Sequence, residues 1–259
     1  MKNFRYIYKG VFDNYKDCLK QTNTSFYKSI EYQKKQYKII SNVVNCLDNR
    51  SSILPFYKQH THYLTMIISM LSTKKKIKIL DFGGGWGIGY ANCMESLDKN
   101  VLKNIDYHIY DLPNLCSIGK KYFKDKMKIK NNLMYYDDFD KVNKKYDIIF
   151  FGSTIQYLDN PLDILTKLLE KKSKILLFID LYLTNSKTFF SRQMHYNYEA
   201  VHSFINIKKF ENIFKDKYKI LNKSYAHTTR LNKIGLINMS NFRKRYRITN
   251  SLNYIFKKN

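Results

Sequence analysis

From Ile77 onward, short apolar runs alternate with stretches whose apolar residues recur at helical spacing. The pattern predicts strands over 77–82, 105–110, 132–136, 146–151 and 174–181, with helices over 88–98, 114–123 and 161–171. A helix over 207–215 and strands near 218–225 and 233–239 follow. Such alternation argues for a mostly parallel sheet with helices on both faces, which binds ligands outside the carboxyl ends of its strands. Residues 1–76 show no strand alternation. Instead Tyr15–Leu19, Ser29–Leu47 and Pro55–Leu71 carry helical spacing, with Ser25 or Ser29 as N-caps and Pro55 near a helix start. The expected organisation is an N-terminal helical cap (1–76), an α/β domain (77–240) and a loosely held basic C-terminal tail (241–259).

The junction between the first predicted strand and helix reads Ile79-Leu-Asp-Phe-Gly-Gly-Gly-Trp-Gly-Ile-Gly. It concentrates five of the chain's nine glycines. A glycine turn there lets backbone approach a ligand closely. The dinucleotide fingerprint G-x-G-x-x-G fails in every register, and no Gly-Lys-Ser/Thr follows to make a phosphate loop. The pattern D-x-G-x-G-x-G is met by Asp81, Gly83, Gly85 and Gly87, with Gly84 between them. It resembles the first motif of class I S-adenosylmethionine-dependent methyltransferases, in which the turn passes under the methionine part of the cofactor. A tight strand-to-helix turn without a ligand is the competing reading, so the rest of the chain must decide.

The strand over 105–110 runs into Asp111, followed by Leu112-Pro-Asn at a helix start. A carboxylate at that strand end can accept both hydrogen bonds of a ribose diol, as in dinucleotide folds; alternatively Asp111 caps the helix. Asp137, Asp138 and Phe139, after the next strand, suit an adenine: a carboxylate or neighbouring amide for the exocyclic amine, a ring against the base. The loop opening at Ser153 lies where a sulfonium methyl would point. It offers Gln156 and Tyr157 to a polyol and lacks the Asn/Asp-Pro-Pro-aromatic and Pro-Cys motifs of nucleobase enzymes.

Three blocks carry a wider resemblance: Ile79-Leu-Asp-Phe-Gly-Gly-Gly-Trp-Gly, Tyr146-Asp-Ile-Ile-Phe-Phe-Gly-Ser-Thr-Ile-Gln-Tyr-Leu-Asp-Asn-Pro, and Leu177-Phe-Ile-Asp-Leu-Tyr-Leu-Thr. Together they resemble a family of bacterial class I methyltransferases whose members accompany enzymes of surface-polysaccharide biosynthesis. Gly10 to Cys18, and Gln193 with Phe204-Ile-Asn206, are similar to weaker family blocks. The resemblance implies a Rossmann-like fold with a mostly parallel seven-stranded sheet, S-adenosylmethionine as cofactor, and an N-terminal cap near the acceptor. Asp180-Leu181 departs from the Asp-Arg expected there, which puts an anion-holding role for Asp180 in doubt.

A hydroxyl acceptor needs a base as its oxygen attacks. His108 lies inside a strand and reads as core, and His60 and His62 fall on an N-terminal helix. His195 and His202 follow the fifth strand, with Gln193 beside them as a substrate partner. Ser153–Asp159 and Gln193–Asn206 are expected to face each other across the transferred group. No carboxylate and histidine set has metal-ligand spacing.

Composition adjusts this picture at two points. The formal charge is +25, yet only seven of 46 basic residues are arginine, while lysine, asparagine, isoleucine and tyrosine abound. An AT-rich genome explains that balance better than a polyanion-binding role, because charge alone speaks to non-specific attraction. Arg243, Lys244, Arg245 and Arg247 are the exception, and suit an anionic lipid surface or glycan. No N-terminal apolar run follows Met1, and none approaches the about 20 residues that span a bilayer. Cys18, Cys46, Cys93 and Cys116 are widely spaced and read as reduced thiols. The expectation is a cytoplasmic O-methyltransferase acting on a small molecule or surface-glycan precursor, of undetermined oligomeric state. An RNA-modifying enzyme and a non-catalytic cofactor- or partner-binding member are the alternatives.

Overall fold

Caps and prolines set where the helices begin. The structure, a computed structural model, describes residues 6–22, 29–72, 76–129, 132–142, 145–195, 198–226, 229–230, 233–234 and 237–259. Its first part contains β1 (Tyr8–Phe12), α1 (Tyr15–Lys20), α2 (Ile30–Asp48), α3 (Pro55–Lys58) and α4 (His62–Leu71). Then come β2 (Ile77–Phe82), α5 (Ile88–Ser96), α6 (Lys99–Lys103), β3 (Ile105–Tyr110), α7 (Pro113–Gly119), β4 (Leu133–Tyr136), β5 (Ile148–Gly152), α8 (Pro161–Leu168) and β6 (Ile175–Leu181). The remainder is β7 (Leu183–Thr184), β8 (Phe189–His195), β9 (Tyr198–Asn206), α9 (Ile207–Phe214), β10 (Tyr218–Tyr225), β11 (Thr229–Arg230), β12 (Lys233–Ile234) and β13 (Leu252–Lys258).

The Asn14 side chain accepts from the Asp17 amide at 2.9 Å to cap α1, and Ser29 Oγ accepts from the Tyr32 amide at 3.1 Å to start α2. Ser25, the other N-cap expectation, lies outside the described residues. Pro55, Pro113 and Pro161 each occupy the first turn of a helix, where no amide donor is needed. The helix expected over Pro55–Leu71 is interrupted at residues 59–61. There Thr61, a buried residue, donates to the Lys58 carbonyl and accepts from Asn92 of α5 at 3.0 Å.

Seven strands form one sheet in the order β10-β13-β6-β5-β2-β3-β4. β2 runs parallel to both β3 and β5, and β3 parallel to β4, with Ile79 opposite Tyr107 and Ile148. Ile79, Leu80, Tyr107, Ile109, Ile148 and Ile149 are fully buried, as continuous apolar strands of a doubly covered parallel sheet should be. β10 and β13 pair antiparallel.

By its internal packing the chain divides into two compact units. One comprises Gln33–Gly152 and Glu170–Phe178; the other comprises the residues up to Tyr32, Ser153–Leu169 and Ile179–Asn259. The second unit carries a further sheet, β1-β8-β9-β7, built on an antiparallel β8–β9 hairpin. Its core packs Tyr8, Tyr182, Phe189 and Phe204 with Ile237, Met239, Phe242 and Tyr246.

Three features differ from the sequence expectation. The N-terminal segment is not purely helical, because β1 pairs with β8. The pattern of hydrophobic positions hides the hairpin because polar residues are buried on both of its faces, Ser191, Gln193 and His202 on one and Glu199 and Ser203 on the other, which erases an apolar period of two. The segment after residue 240 is no loose tail. Tyr254 and Phe256 of β13 pack against Phe210 and Phe214 of α9; of the strand expected over 233–239, the described residues show β12 at 233–234 and no strand at 237–239.

Candidate functional site

The turn after β2 is built so that one of its glycines faces open space. Gly83, Gly85 and Gly87 all have positive φ. A Cβ on Gly84 would lie 2.5 Å from the Asp81 carboxyl carbon, and one on Gly87 3.0 Å from the Tyr135 hydroxyl, so those positions are packed from within. A Cβ on Gly85 would meet nothing within 4 Å, although φ is +61°. Backbone there is exposed without a side chain to shield it, as a turn that must touch a ligand requires. Trp86, which sequence reasoning did not single out, steadies the turn: its indole donates to Gln36 Oε1 at 2.9 Å and its carbonyl accepts from the Tyr135 hydroxyl at 2.9 Å.

Asp81 lies beneath this turn. It is buried, and Tyr107 donates a hydroxyl to its Oδ2 at 2.7 Å. Burial pushes its pKa from 3.8 up to about 7; the Tyr107 bond lowers it and the Asp111 charge raises it. The folded chain therefore holds this proton through a range in which the unfolded chain has lost it. Its contribution disfavours folding increasingly as pH rises from about 4 to about 7, then levels. Asp81→Asn is expected to stabilise the protein by about 1–3 kcal/mol at pH 8, after a discount for the new amide donor, with a smaller gain at pH 5. Urea denaturation at both pH values checks this, and an equal change at both would contradict the ionisation argument.

Asp111 ties the end of β3 to the turn. Its Oδ2 accepts from the Gly85 amide and its Oδ1 from the Leu112 amide, both at 2.6 Å. Burial raises its pKa to about 6, against the lowering effect of the Leu112 and Gly85 amides. Each carboxylate oxygen keeps a second lone pair for another donor. Beside it Leu112 is 39 % exposed, an apolar surface left uncovered. After β4, Asp137 is exposed, while Asp138 Oδ1 accepts from the Asp140 amide at 3.0 Å. Phe139 contacts the rings of Phe82 and Tyr110, with Lys171 Nζ 4.5 Å from its centroid. Asp81, the glycines and Asp111 are thus joined by direct contacts, and Phe139 reaches the same strand ends through Phe82 and Tyr110.

A second cluster stands where β5 and β6 end. Ser153 and Asp180 have φ of +60° and +62°, a conformation that costs a non-glycine residue about 1–3 kcal/mol each. Their surroundings hold them there. Ser153 Oγ donates to Asp180 Oδ2 at 2.9 Å and accepts from Gln156 Nε2 at 2.7 Å, and Ser251 donates to Asp180 Oδ1. The Asp180 amide donates to Asn253 Oδ1 at 3.0 Å. Asp180 is 3 % exposed with both carboxylate oxygens engaged, and its carbonyl accepts from Gln156 Nε2 at 3.3 Å. Ser251 and Asn253 carried no sequence signal, being some seventy residues away.

Tyr157 and His202 meet edge to face at 5.4 Å, which brings the loop after β5 against β9. His202 is 0 % exposed, enclosed by Tyr8, Tyr157, Tyr182 and Phe204. In this arrangement an acceptor hydroxyl reaches it only if the rings part. Gln193 is buried and donates to the Tyr8 hydroxyl at 3.4 Å. The backbone of His195 pairs with Tyr198 at the tip of the hairpin. His108 is a core residue whose ring contacts Tyr146 Oη at 3.1 Å and Asp106 Oδ1 at 3.2 Å.

No family model and no curated protein matches the sequence. Solved structures do match the fold. Magnesium protoporphyrin IX methyltransferase from Synechocystis PCC 6803, determined with bound SAH, superposes with a TM-score of 0.56 at 8 % identity, covering 90 % of this chain and 96 % of its own. The mitomycin 7-O-methyltransferase MmcR gives 0.51 at 9 % identity, over 91 % of this chain and 61 % of that one. An S-adenosylmethionine-dependent methyltransferase from Clostridium acetobutylicum ATCC 824 gives 0.50 at 14 % identity, over 85 % and 98 %. With the sheet order and the glycine turn, these likenesses establish that the chain has the Rossmann-like fold of class I methyltransferases.

Proposed function

We propose that the protein is an S-adenosylmethionine-dependent methyltransferase that methylates a hydroxyl of a small molecule or surface-glycan precursor. One observation carries the reading: the open backbone at Gly85 is hydrogen-bonded to Asp111 at the end of the neighbouring strand. That pairing suits a ligand with a ribose diol beside a chain that needs close backbone approach, and the named activities of the structural neighbours support it. When bound, the cofactor would supply an electrophilic methyl group on sulfur.

The chain's own residues would do the rest. The free lone pairs of Asp111 accept from the ribose hydroxyls, and Leu112 covers an apolar edge. Asp137, Asp138 and Phe139 receive the adenine, Gly83 to Gly87 carry the methionine part, and Ser153 borders the methyl. Gln156, Tyr157 and Gln193 are the proposed acceptor contacts, with Asp180 positioning the first of them. A proton must leave the acceptor oxygen, and His195 or His202 is the proposed recipient. If so, the alanine variant should lower turnover by about 10²–10⁴ with cofactor affinity nearly unchanged.

The test is transfer of labelled methyl from S-adenosylmethionine to a panel of nucleotide sugars and glycan precursors. The reading expects an alkali-stable methyl ether on one acceptor class. Label appearing only on RNA would replace it with the nucleic-acid alternative.

A further inference from the structure

In the unit that contains β1, β8 and β13, a cavity of about 460 Å³ opens among Gly10, Asp13, Lys187, Arg243, Arg245 and Tyr246. Three cations line it against one carboxylate. Asp13 is already engaged, since its Oδ1 lies 2.8 Å from Lys187 Nζ. Neither Arg243 nor Arg245 has a carboxylate partner among the described residues. The surplus positive charge is therefore carried by two guanidinium groups, which suit bidentate binding of phosphate.

The basic run that supplies them is an anchored turn, not a solvated stripe. Arg247 donates to the carbonyls of Phe242 and Ser240 at 2.7 and 2.9 Å, which closes the loop. Phe242 and Tyr246, two of the residues between and beside the arginines, are buried against Phe189. The Arg245 guanidinium lies 4.8 Å from the Tyr246 ring centroid and donates to that residue's hydroxyl at 3.0 Å, so it is held before any ligand arrives. The opposite wall is equally constructed. The register of β1 against β8 shifts between Lys9 and Phe12, with Gly10 at φ +79°, where an added Cβ would lie 2.7 Å from the Phe12 ring. Asn241 Nδ2 donates to the Tyr8 carbonyl at 2.9 Å and fastens the two walls together.

We propose that this cavity binds a phosphate ester, with Arg243 and Arg245 gripping the phosphate oxygens and Lys187 shared between the ligand and Asp13. The volume falls within the range of small-molecule sites, about 300–1,000 Å³. A doubly charged phosphate matches two guanidinium groups without a carboxylate partner among the described residues better than a single carboxylate does.

The experiment titrates the full chain at about 150 mM salt with pyrophosphate by calorimetry, and with phosphatidylglycerol or phosphatidylcholine vesicles by co-sedimentation. The variants are Arg243→Gln/Arg245→Gln, Arg243→Gln alone, which leaves the Arg245–Tyr246 contact intact, and Lys208→Gln/Lys209→Gln. The last removes the same charge from exposed positions on α9. The arginine changes should weaken pyrophosphate binding by about ten-fold or more, with the lysine control within about two-fold. Binding only to phosphatidylglycerol, lost in the arginine variants alone, would identify a lipid phosphate as the ligand. Equal weakening by the lysine control, or no binding of either probe, would overturn the proposal.

Discussion

Gly85→Leu should abolish measurable S-adenosylmethionine binding, a loss on the order of 100-fold or more, in a chain that still folds. The side chain would project into the space that an added Cβ finds empty, where the proposed cofactor must lie. Leucine at φ +61° would also cost about 1–3 kcal/mol of stability, within what a domain of this size tolerates. Gly89→Ala is the informative contrast. Its Cβ would sit 2.2 Å from the Tyr107 hydroxyl and 2.6 Å from Asp81 Oδ2, so the fold itself should suffer. Calorimetry with thermal melts separates the two, and unchanged affinity in a folded Gly85→Leu protein would remove the turn from the site.

Asp111→Ala should weaken the same binding by about 1.5–3 kcal/mol, roughly 10- to 150-fold, the scale of hydrogen bonds to a charged group. The pH dependence follows from its raised pKa. The carboxylate is ionised above about pH 6 and protonated below it, so wild-type affinity should fall as pH drops through that value. In Asp111→Ala this component of the pH dependence should vanish. If the variant loses melting temperature and keeps its affinity, Asp111 serves only to hold the Gly85 and Leu112 amides.

The parts of the fold legible in the sequence are those in which one local pattern coincides with one environment. β2 and β3 lie at the expected 77–82 and 105–110 because both faces of each strand are largely buried and apolar residues dominate them, despite Lys78, Asp81, Asp106 and His108. α5, α8 and α9 follow helical periodicity with recognisable starts. Legibility failed where burial is satisfied by polar side chains or by distant partners. β9 is buried along most of its length, yet it contains Glu199, His202 and Ser203. β13 follows an arginine-rich turn whose charge suggested a solvated tail, although the turn is pinned by Arg247 and the strand by Tyr254 and Phe256.

The candidate site divides in the same way. The glycine turn and Asp111 are contiguous with their strands, so spacing alone nominates them, and the Gly85 amide donates to Asp111. The carboxylate of Asp180 is visible at its strand end, but its partners are not. One of them is Ser251, whose hydroxyl reaches it from far along the chain. His202 is nominated as a base by its residue type and its place after the fifth strand. Only the structure shows four aromatic rings around it.

The central claim is that the turn from Gly83 to Gly87 is a methyl-donor site. Calorimetric titration of the wild-type chain at pH 8 with S-adenosylmethionine, and in parallel with NAD, tests it most directly. One-to-one binding of the methyl donor and none of NAD is expected; binding of NAD alone, or of neither, would contradict the claim.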